Sequence, residues 1–173
     1  MARVYKKRRF YRKKGRWSAN IKTLTTSSIT AAPGTFFGKQ LLCENPPQSD
    51  NSVSQQYTVK NVEVSYELES LGDNRNLEGL TVYIIYVPQG MIVSETYPNF
   101  HPEYIMAMRF LGSPNEAGDQ NNPGRNPLRI KTRLARRLQT GDSVQLLVVG
   151  SNPSQQSDTL YFNGVIRWWT KAN

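Results

Sequence analysis

Hydrophobic and polar residues alternate along much of this chain, which is the pattern of β-strands with one buried face. Residues 57–69 read YTVKNVEVSYELE. One face of this segment would hold Val62, Val64, Tyr66 and Leu68. The other face would hold Glu63, Ser65, Glu67 and Glu69. An apolar face opposite a polar one is typical of an antiparallel sheet that packs on a core with one side, so we predict such a strand here.

Two further segments are apolar on both faces. Residues 80–87 (LTVYIIYV) end at Pro88, and residues 143–150 (SVQLLVVG) follow the turn signal Gly141-Asp142. Short apolar runs between turn residues indicate buried strands. We expect both segments to be central strands of a sheet or strands covered on both sides.

The C-terminal segment again has two faces. One face would hold Leu160, Phe162, Gly164, Ile166 and Trp168. The other would hold Tyr161, Asn163, Arg167, Trp169 and Lys171. Adjacent residues of a strand point to opposite sides, so we predict that Trp168 lies in the core and that Trp169, with Tyr161, contacts another subunit. The alternative for Trp169 is an exposed or loop-covered ring.

Weaker patterns complete the set of strands. Residues 21–29 and 36–44 are predicted strands, and residues 104–111 are compatible with a strand or a short helix. Residues 126–138 favour a strand, although RLARRL within them is also compatible with a helix. Seven or eight strands between turn-rich loops, without a strong amphipathic helix, indicate an all-β sandwich, jelly roll or barrel.

Charge separates the N-terminus from the rest of the chain. Residues 1–17 contain no carboxylate, and their cations are Arg3, Lys6, Lys7, Arg8, Arg9, Arg12, Lys13, Lys14 and Arg16. The whole chain has 22 Lys and Arg against 13 Asp and Glu, so these nine cations equal its net charge of +9. Like charges in so short a stretch repel one another and bury little. We therefore expect a disordered arm at residues 1–20 and one folded domain at residues 21–173.

A polyanion is the expected partner of this arm, because cations that neutralise phosphates release condensed counterions. Aromatic residues interleave with the cations at Tyr5, Phe10, Tyr11 and Trp17. Bases stack on such rings, which favours single-stranded nucleic acid. The basic runs are also compatible with a nuclear-import signal or a solubilising tail. A membrane-surface anchor is a weaker alternative, because the arm has no apolar face.

A second basic cluster lies in the body. Arg129, Lys131 and Arg133 would project from one strand face, and Arg136 and Arg137 follow them. Residues 18–173 are formally neutral, so we expect the acids to concentrate elsewhere, as on the Glu63 face of residues 57–69, and the body to be dipolar. The basic side would extend the nucleic-acid surface of the arm. The alternative is a solvated edge whose charges deter aggregation.

The sequence offers no constellation for catalysis or metal binding. His101 is the single histidine and Cys43 the single cysteine; we expect a loop histidine and a small buried strand residue. Phosphate-binding glycine motifs and a nucleophile elbow are absent. We expect no enzymatic activity, no cofactor and no metal. No apolar run approaches the ~20 residues that cross a bilayer, so we expect no membrane partner.

The basic arm with interleaved aromatics, the neutral strand-rich body and the terminal GVIRWWTKAN together resemble the small capsid proteins of circovirus-like single-stranded DNA viruses. This resemblance implies an eight-stranded jelly roll and sixty copies in an icosahedral (T=1) shell. It also implies arms that point inward onto a single-stranded DNA genome. Transit to the host nucleus by import receptors that recognise the arm, and a final place in the virion, are implied as well.

The alternative from another class is a basic-tailed nucleic-acid-binding module, either ribosomal-protein-like or a single-strand binder. Ribosomal proteins usually spread basic residues over the folded body, whereas this body is formally neutral. A single-strand binder needs aromatics on a basic strand face, and none interleaves with Arg129, Lys131 and Arg133. The mass of the native particle separates a shell from a module.

Binding of the intact chain to single-stranded DNA is predicted to depend steeply on salt. If most arm cations contact phosphate, the slope of log affinity against log salt is roughly −0.7 per contact, about −4 to −6 in total. Deletion of residues 2–17 should remove most of this slope and leave cooperative unfolding of a β-rich body. The slope is measured by fluorescence anisotropy; a value near zero would contradict charge neutralisation by the arm.

Overall fold

The structure is a computed structural model that describes residues 16–46, 56–70, 77–112 and 128–172. Its strands are β1 (Ser18–Ala31), β2 (Gly34–Glu44), β3 (Tyr57–Ser70), β4 (Glu78–Val87), β5 (Ile105–Gly112), β6 (Leu128–Lys131), β7 (Arg136–Leu138), β8 (Ser143–Asn152) and β9 (Asp158–Ala172). A short helix, α1 (Tyr97–Phe100), and one 3₁₀ turn (Pro102–Tyr104) lie between β4 and β5. Each segment predicted to be a strand contains one, although residues 126–138 are divided between β6 and β7.

The strands form two antiparallel sheets. Sheet 1 has the order β1-β9-β3-β6, with β7 also paired to β3, and sheet 2 has the order β2-β8-β4-β5. Because β6 and β7 occupy the same edge of β3, the described residues fill eight strand positions, four in each sheet. The chain crosses repeatedly between the sheets, and this arrangement is a jelly roll. The predicted all-β jelly-roll fold is confirmed.

The main core lies between the two sheets, and it is built from the inward faces that alternation predicted. Val62, Val64 and Tyr66 of β3 are buried there, as are Phe162 and Ile166 of β9. The Tyr66 and Phe162 rings stack with their centroids 5.6 Å apart. Trp168 also packs against this core and is half-buried at its margin.

Sheet 2 carries a second apolar cluster on its other side. Ile85 and Val87 of β4 and Leu147 of β8 pack there against Val93 and Tyr97 from the segment that leads to β5. The expectation that β4 and β8 are central or doubly covered strands is thereby confirmed. The coverage explains why these two strands are apolar on both faces.

A close approach of backbones explains the glycine in the apolar row of β9. Gly164 lies opposite Leu24 on β1 and Tyr66 on β3. A Cβ at this position would come within 2.5 Å of the Ser65 carbonyl oxygen and 2.9 Å of the Tyr66 Cα. Only a residue without a side chain fits between the neighbouring strands here.

Two expectations about element boundaries are corrected. Residues 18–20, assigned to the disordered arm, belong to β1, where the Asn20 amide donates to the Thr170 hydroxyl and to the Trp168 carbonyl on β9. Residues 126–138 do not form one continuous strand, because β6 ends at Lys131 and β7 begins at Arg136. Leu134 is 50% exposed in the interruption.

The interruption between β6 and β7 has one local cause in this segment and another in the paired strand β3. The Thr132 hydroxyl accepts a hydrogen bond from the Leu134 N–H at 3.0 Å, a side-chain turn that competes with ladder pairing. On β3 the register shifts between Lys60 and Glu63, and Asn61 adopts a left-handed φ of 51°. Bulges of this type insert a residue and bend the strand.

Asp142 joins three segments at one end of the sandwich. Its buried carboxylate accepts hydrogen bonds from the Gln89 N–H (3.0 Å), the Gln139 N–H (2.8 Å) and the Tyr86 hydroxyl (2.6 Å). Its own carbonyl accepts from the Asn45 N–H at 2.9 Å. One side chain therefore ties the end of β4 to the β7–β8 turn, and its backbone ties that turn to the end of β2.

We predict that Asp142→Asn destabilises the fold by about 2–3 kcal/mol, because hydrogen bonds to a buried charged acceptor contribute about 1.5–3 kcal/mol and an amide nitrogen would face a backbone donor. Tyr86→Phe removes only the hydroxyl donor and should cost less. Chemical denaturation of the two variants makes the comparison. A larger loss for Tyr86→Phe would contradict the role given to the carboxylate.

Candidate nucleic-acid interface

The outward face of sheet 1 is defined by the same alternation that fills the core. Because Val64 of β3 and Ile166 of β9 point inward, the residues beside them in the chain point outward. Cross-strand register then sets the outward neighbours. One row runs Lys131, Glu63, Arg167 and Ile21, and the next runs Arg129, Ser65, Val165 and Thr23.

This face has an excess of cations. Among the side chains that the structure describes, the outward positions hold Lys60, Arg129, Lys131, Arg137, Arg167 and Lys171. The described acids there are Glu63 and Glu67, while Glu69 occupies a further register position opposite Tyr161. A surface with this excess attracts polyanions.

Glu63 lies beneath two of these cations. Its Oε1 is 2.7 Å from an Arg129 guanidinium nitrogen, and its Oε2 is 3.7 Å from the Lys131 Nζ. The hydrogen bond from Arg129 lowers the pKa of the Glu63 carboxyl, burial opposes that shift, and the charges of Arg129, Lys131 and Arg167 lower it further. Glu63 is therefore held ionised and partly neutralises its neighbours.

The expectation of separate acidic and basic faces is wrong. β6 pairs directly with β3, so Lys131 lies opposite Glu63 and both belong to one face of one sheet. The sequence shows two segments of opposite charge nearly seventy residues apart. Antiparallel pairing brings them together, because an ion pair across strands is stabilising where like charges would repel.

The predicted basic residues of the body do not all share this face. Arg129 and Lys131 lie on it, and Arg133 is exposed in the interruption after β6. Arg136 turns away: its guanidinium donates to the Glu103 carbonyl, and its central carbon lies 5.6 Å from the Tyr86 ring centroid. Eight predicted arm cations lie outside the described residues: Arg3, Lys6, Lys7, Arg8, Arg9, Arg12, Lys13 and Lys14.

The arm joins the body at this face. Arg16 is exposed, and Trp17 is 38% exposed immediately before β1. The Lys60 Nζ lies 3.8 Å from the centroid of the Trp17 ring, a cation–π contact. Lys60 also lies opposite Trp169 in the register of β3 and β9. The two indoles and the ammonium group therefore share the end of the face where the chain enters β1.

Sequence reasoning missed Lys60 and Arg167 as members of this site. The sequence can show aromatics only within the strand that carries Arg129, Lys131 and Arg133. In the structure, aromatics and cations alternate across neighbouring strands. The one available signal was Arg167, two residues before Trp169 on the same predicted face. The bulge in β3 that sets the Lys60–Trp169 pairing has no comparable signal.

The aromatics Tyr83, Tyr161 and Trp169 are half-buried. Tyr161 lies outward on β9 opposite Ser28 and Glu69. A contact with another copy through Tyr161 or Trp169 stays a prediction, since the structure holds a single chain.

The isolated histidine and cysteine occupy structural positions. The His101 ring stacks on Tyr104 at 5.4 Å, and its Nδ1 lies 3.5 Å from a Glu103 carboxylate oxygen. Cys43 is buried on β2, and burial raises the pKa of its thiol to about 12. Within the described ranges, no group of three or more His, Cys, Asp or Glu residues is placed to hold a metal ion. The described helices are too short and too polar to span a membrane.

Comparison with known proteins gives matches in structure alone. No family model and no curated protein matches the chain. The decameric BFDV capsid protein is similar in fold, with 9% identity and a TM-score of 0.36 over 91% of this chain and 99% of that chain. A structure of turnip yellow mosaic virus is similar with 13% identity and a TM-score of 0.31, over 86% of this chain and 95% of that chain.

The ion pairs of Glu63 predict a pH-dependent contribution to stability. A carboxyl whose pKa is lowered on folding stabilises the folded state above its unfolded pKa, about 4.3, and loses that contribution as pH falls through the lower folded value. Wild type should therefore be more stable than Glu63→Gln near neutral pH, and the difference should vanish in acid.

Thermal unfolding of both proteins from neutral to acidic pH measures this difference. Glu67→Gln is the matched control, because Glu67 faces outward on the same strand beyond the stretch of β3 that pairs with β6. An equal pH dependence for Glu67→Gln and Glu63→Gln would show that the ion pairs of Glu63 are not its source.

Proposed function

We propose that this chain is a viral capsid protein that assembles into an icosahedral shell and packages single-stranded DNA through its cationic N-terminal arm. The observation that carries the proposal is the junction at Trp17. The chain leaves the arm at the basic face of a jelly roll whose other sheet exposes apolar side chains. The two surfaces that a capsid subunit needs, a basic one for a polyanion and an apolar one for copies of itself, are thus on different sheets.

The arm supplies most of the charge for packaging. Nine cations precede residue 18, and residues 18–173 are neutral. The cation–π contact between Lys60 and Trp17 supports an arm that starts on the outward side of sheet 1. In the proposed shell this side faces the interior, so the arms and the basic face of sheet 1 bind the same genome.

Sheet 2 offers the surface for contacts between copies. Phe37 on β2 and Met108 and Phe110 on β5 point outward and are 37%, 63% and 67% exposed. They continue across the sheet through Val149 and Tyr83. Exposed apolar patches on a soluble domain mark interaction sites, and we propose that this patch and Tyr161 contact neighbouring subunits.

Localisation follows from the same features. The resemblance to circovirus-like capsid proteins implies transit to the host nucleus, and the basic runs of the arm suit import receptors. We propose that the arm directs the chain to the nucleus and then binds DNA in the virion. A basic-tailed nucleic-acid-binding module is the second candidate, favoured by the basic face of sheet 1.

Particle mass distinguishes the two candidates. Sixty copies of the 19.7-kDa chain make about 1.2 MDa, so sedimentation of the expressed protein should show a megadalton particle with nuclease-protected DNA. A monomer or small oligomer under all conditions of salt and added DNA would overturn the capsid proposal and favour the module.

Phe110→Glu tests the proposed contact surface. A charge in an apolar subunit contact is costly to bury, so particle yield should fall several-fold while the circular dichroism and melting of the dissociated subunit stay unchanged. Gln155→Glu is the matched control, since it adds the same charge at an exposed turn between β8 and β9. Equal particle yields from both variants would exclude this patch as the contact.

A further inference from the structure

Two indole rings flank one ammonium group at the arm end of sheet 1. Lys60 is paired with Trp169 across β3 and β9, and its Nζ lies over the ring of Trp17. On the other side of Trp169 lies Ala19 of β1, which has a small side chain. The cation–π contact also orients Trp17, which keeps 38% of its surface exposed.

Cations surround the indole pair. Arg167 and Lys171 flank Trp169 at the adjacent outward positions of β9, each about 6.8 Å along the strand. Arg167 is exposed, and Lys171 is half-buried. Glu63, the nearest acid in the register, is already paired with Arg129 and Lys131. The charge of this end of the face is therefore positive, with aromatic surface between the positive groups.

This arrangement has the chemistry of a single-strand binding surface. Bases stack on aromatic rings irrespective of their sequence, and Lys and Arg groups alongside take the phosphates. A protein partner fits this surface less well, because most protein surfaces carry charges of both signs. Duplex DNA also fits less well, because its base faces are stacked on one another and cannot stack on the indoles. A partly exposed Trp17 ring and a half-buried Trp169 ring beside several cations favour an extended single strand with unstacked bases.

We propose that a segment of single-stranded DNA binds directly to the folded body on this face, with bases stacked on Trp17 and Trp169 and phosphates held by Lys60, Arg167 and Lys171. The proposal rests on the proposed packaging function and adds to it a binding site on the folded body, outside the cationic arm. It assigns Trp169 to nucleic acid in place of a neighbouring subunit. The site sets where the DNA contacts each capsid subunit, whereas the arm adds affinity along the rest of the DNA.

Stacking and charge predict different salt dependences. Trp169→Ala and Trp17→Ala should each weaken binding of the full-length chain to a short oligo(dT) by about 5- to 150-fold, the range given by loss of one base stack. They should leave the slope of log affinity against log salt unchanged. Lys60→Gln should reduce the magnitude of that slope by about 0.7, as expected for one lost phosphate contact. Fluorescence anisotropy at several salt concentrations measures both quantities.

Phe110→Ala is the control, because Phe110 is an even more exposed aromatic, at 67%, on the outward face of the other sheet. It should bind oligo(dT) as wild type does. Trp169→Phe should restore most of the affinity lost in Trp169→Ala, since a smaller ring still stacks. Duplex DNA of the same length should show little difference between wild type and Trp169→Ala.

Photo-cross-linking avoids any dependence on the folding of a variant. Wild-type chain irradiated with an oligonucleotide that carries 5-iododeoxyuridine should give cross-linked peptides that contain Trp17 or Trp169.

Cross-links confined to residues 1–15, together with wild-type affinity in both tryptophan variants, would overturn the site and leave packaging by the arm intact. Wild-type oligo(dT) affinity with reduced particle yield in Trp169→Ala would also overturn it, in favour of a subunit contact. Absence of salt-dependent binding by wild type would instead remove the proposed packaging function itself.

Discussion

The pairing of β3 in the middle of sheet 1 is the constraint on which both the core and the candidate site depend. One edge of β3 pairs with β9, and the other edge pairs with β6 and then β7. This register places Val64 and Tyr66 against the core, and by the same alternation it places Glu63 outward beneath Arg129 and Lys131. A shift by one residue would exchange the two faces, burying the cations and exposing the core.

The bulge in β3 makes this register compatible with two partners. Between Lys60 and Glu63 the strand gains a residue and bends, which separates the part that pairs with β6 from the part that pairs with β7. It also keeps Val59 and Val62 both buried, although they are three residues apart. The same bend leaves Lys60 opposite Trp169 and within reach of Trp17. A local irregularity thus builds the arm end of the basic face.

The sequence predicts the fold well because period-two alternation reports directly on a one-sided sheet. The strands at residues 57–69 and 160–171 follow from this alternation, and the doubly covered strands β4 and β8 follow from short apolar runs between turn residues. The interruption of residues 126–138 was missed because Thr132 alternates correctly, and only its hydrogen bond to the Leu134 N–H reveals the turn. Charge placement was less predictable, since alternation along one strand does not say which strand lies beside it.

Residues 18–173 have no net charge, yet the outward face of sheet 1 is basic, and this difference affects how copies would assemble. Acids in the turn-rich segments, among them Asp50, Asp73, Glu116 and Asp119, bring residues 18–173 to neutrality while the outward face of sheet 1 stays basic. Neutral bodies pack side by side without the repulsion that a uniformly basic protein would accumulate. The arms are different: in the proposed shell, 540 arm cations from sixty copies would crowd one interior. A polyanion relieves that repulsion more effectively than small counterions do, so a shell of such subunits would close most favourably around nucleic acid.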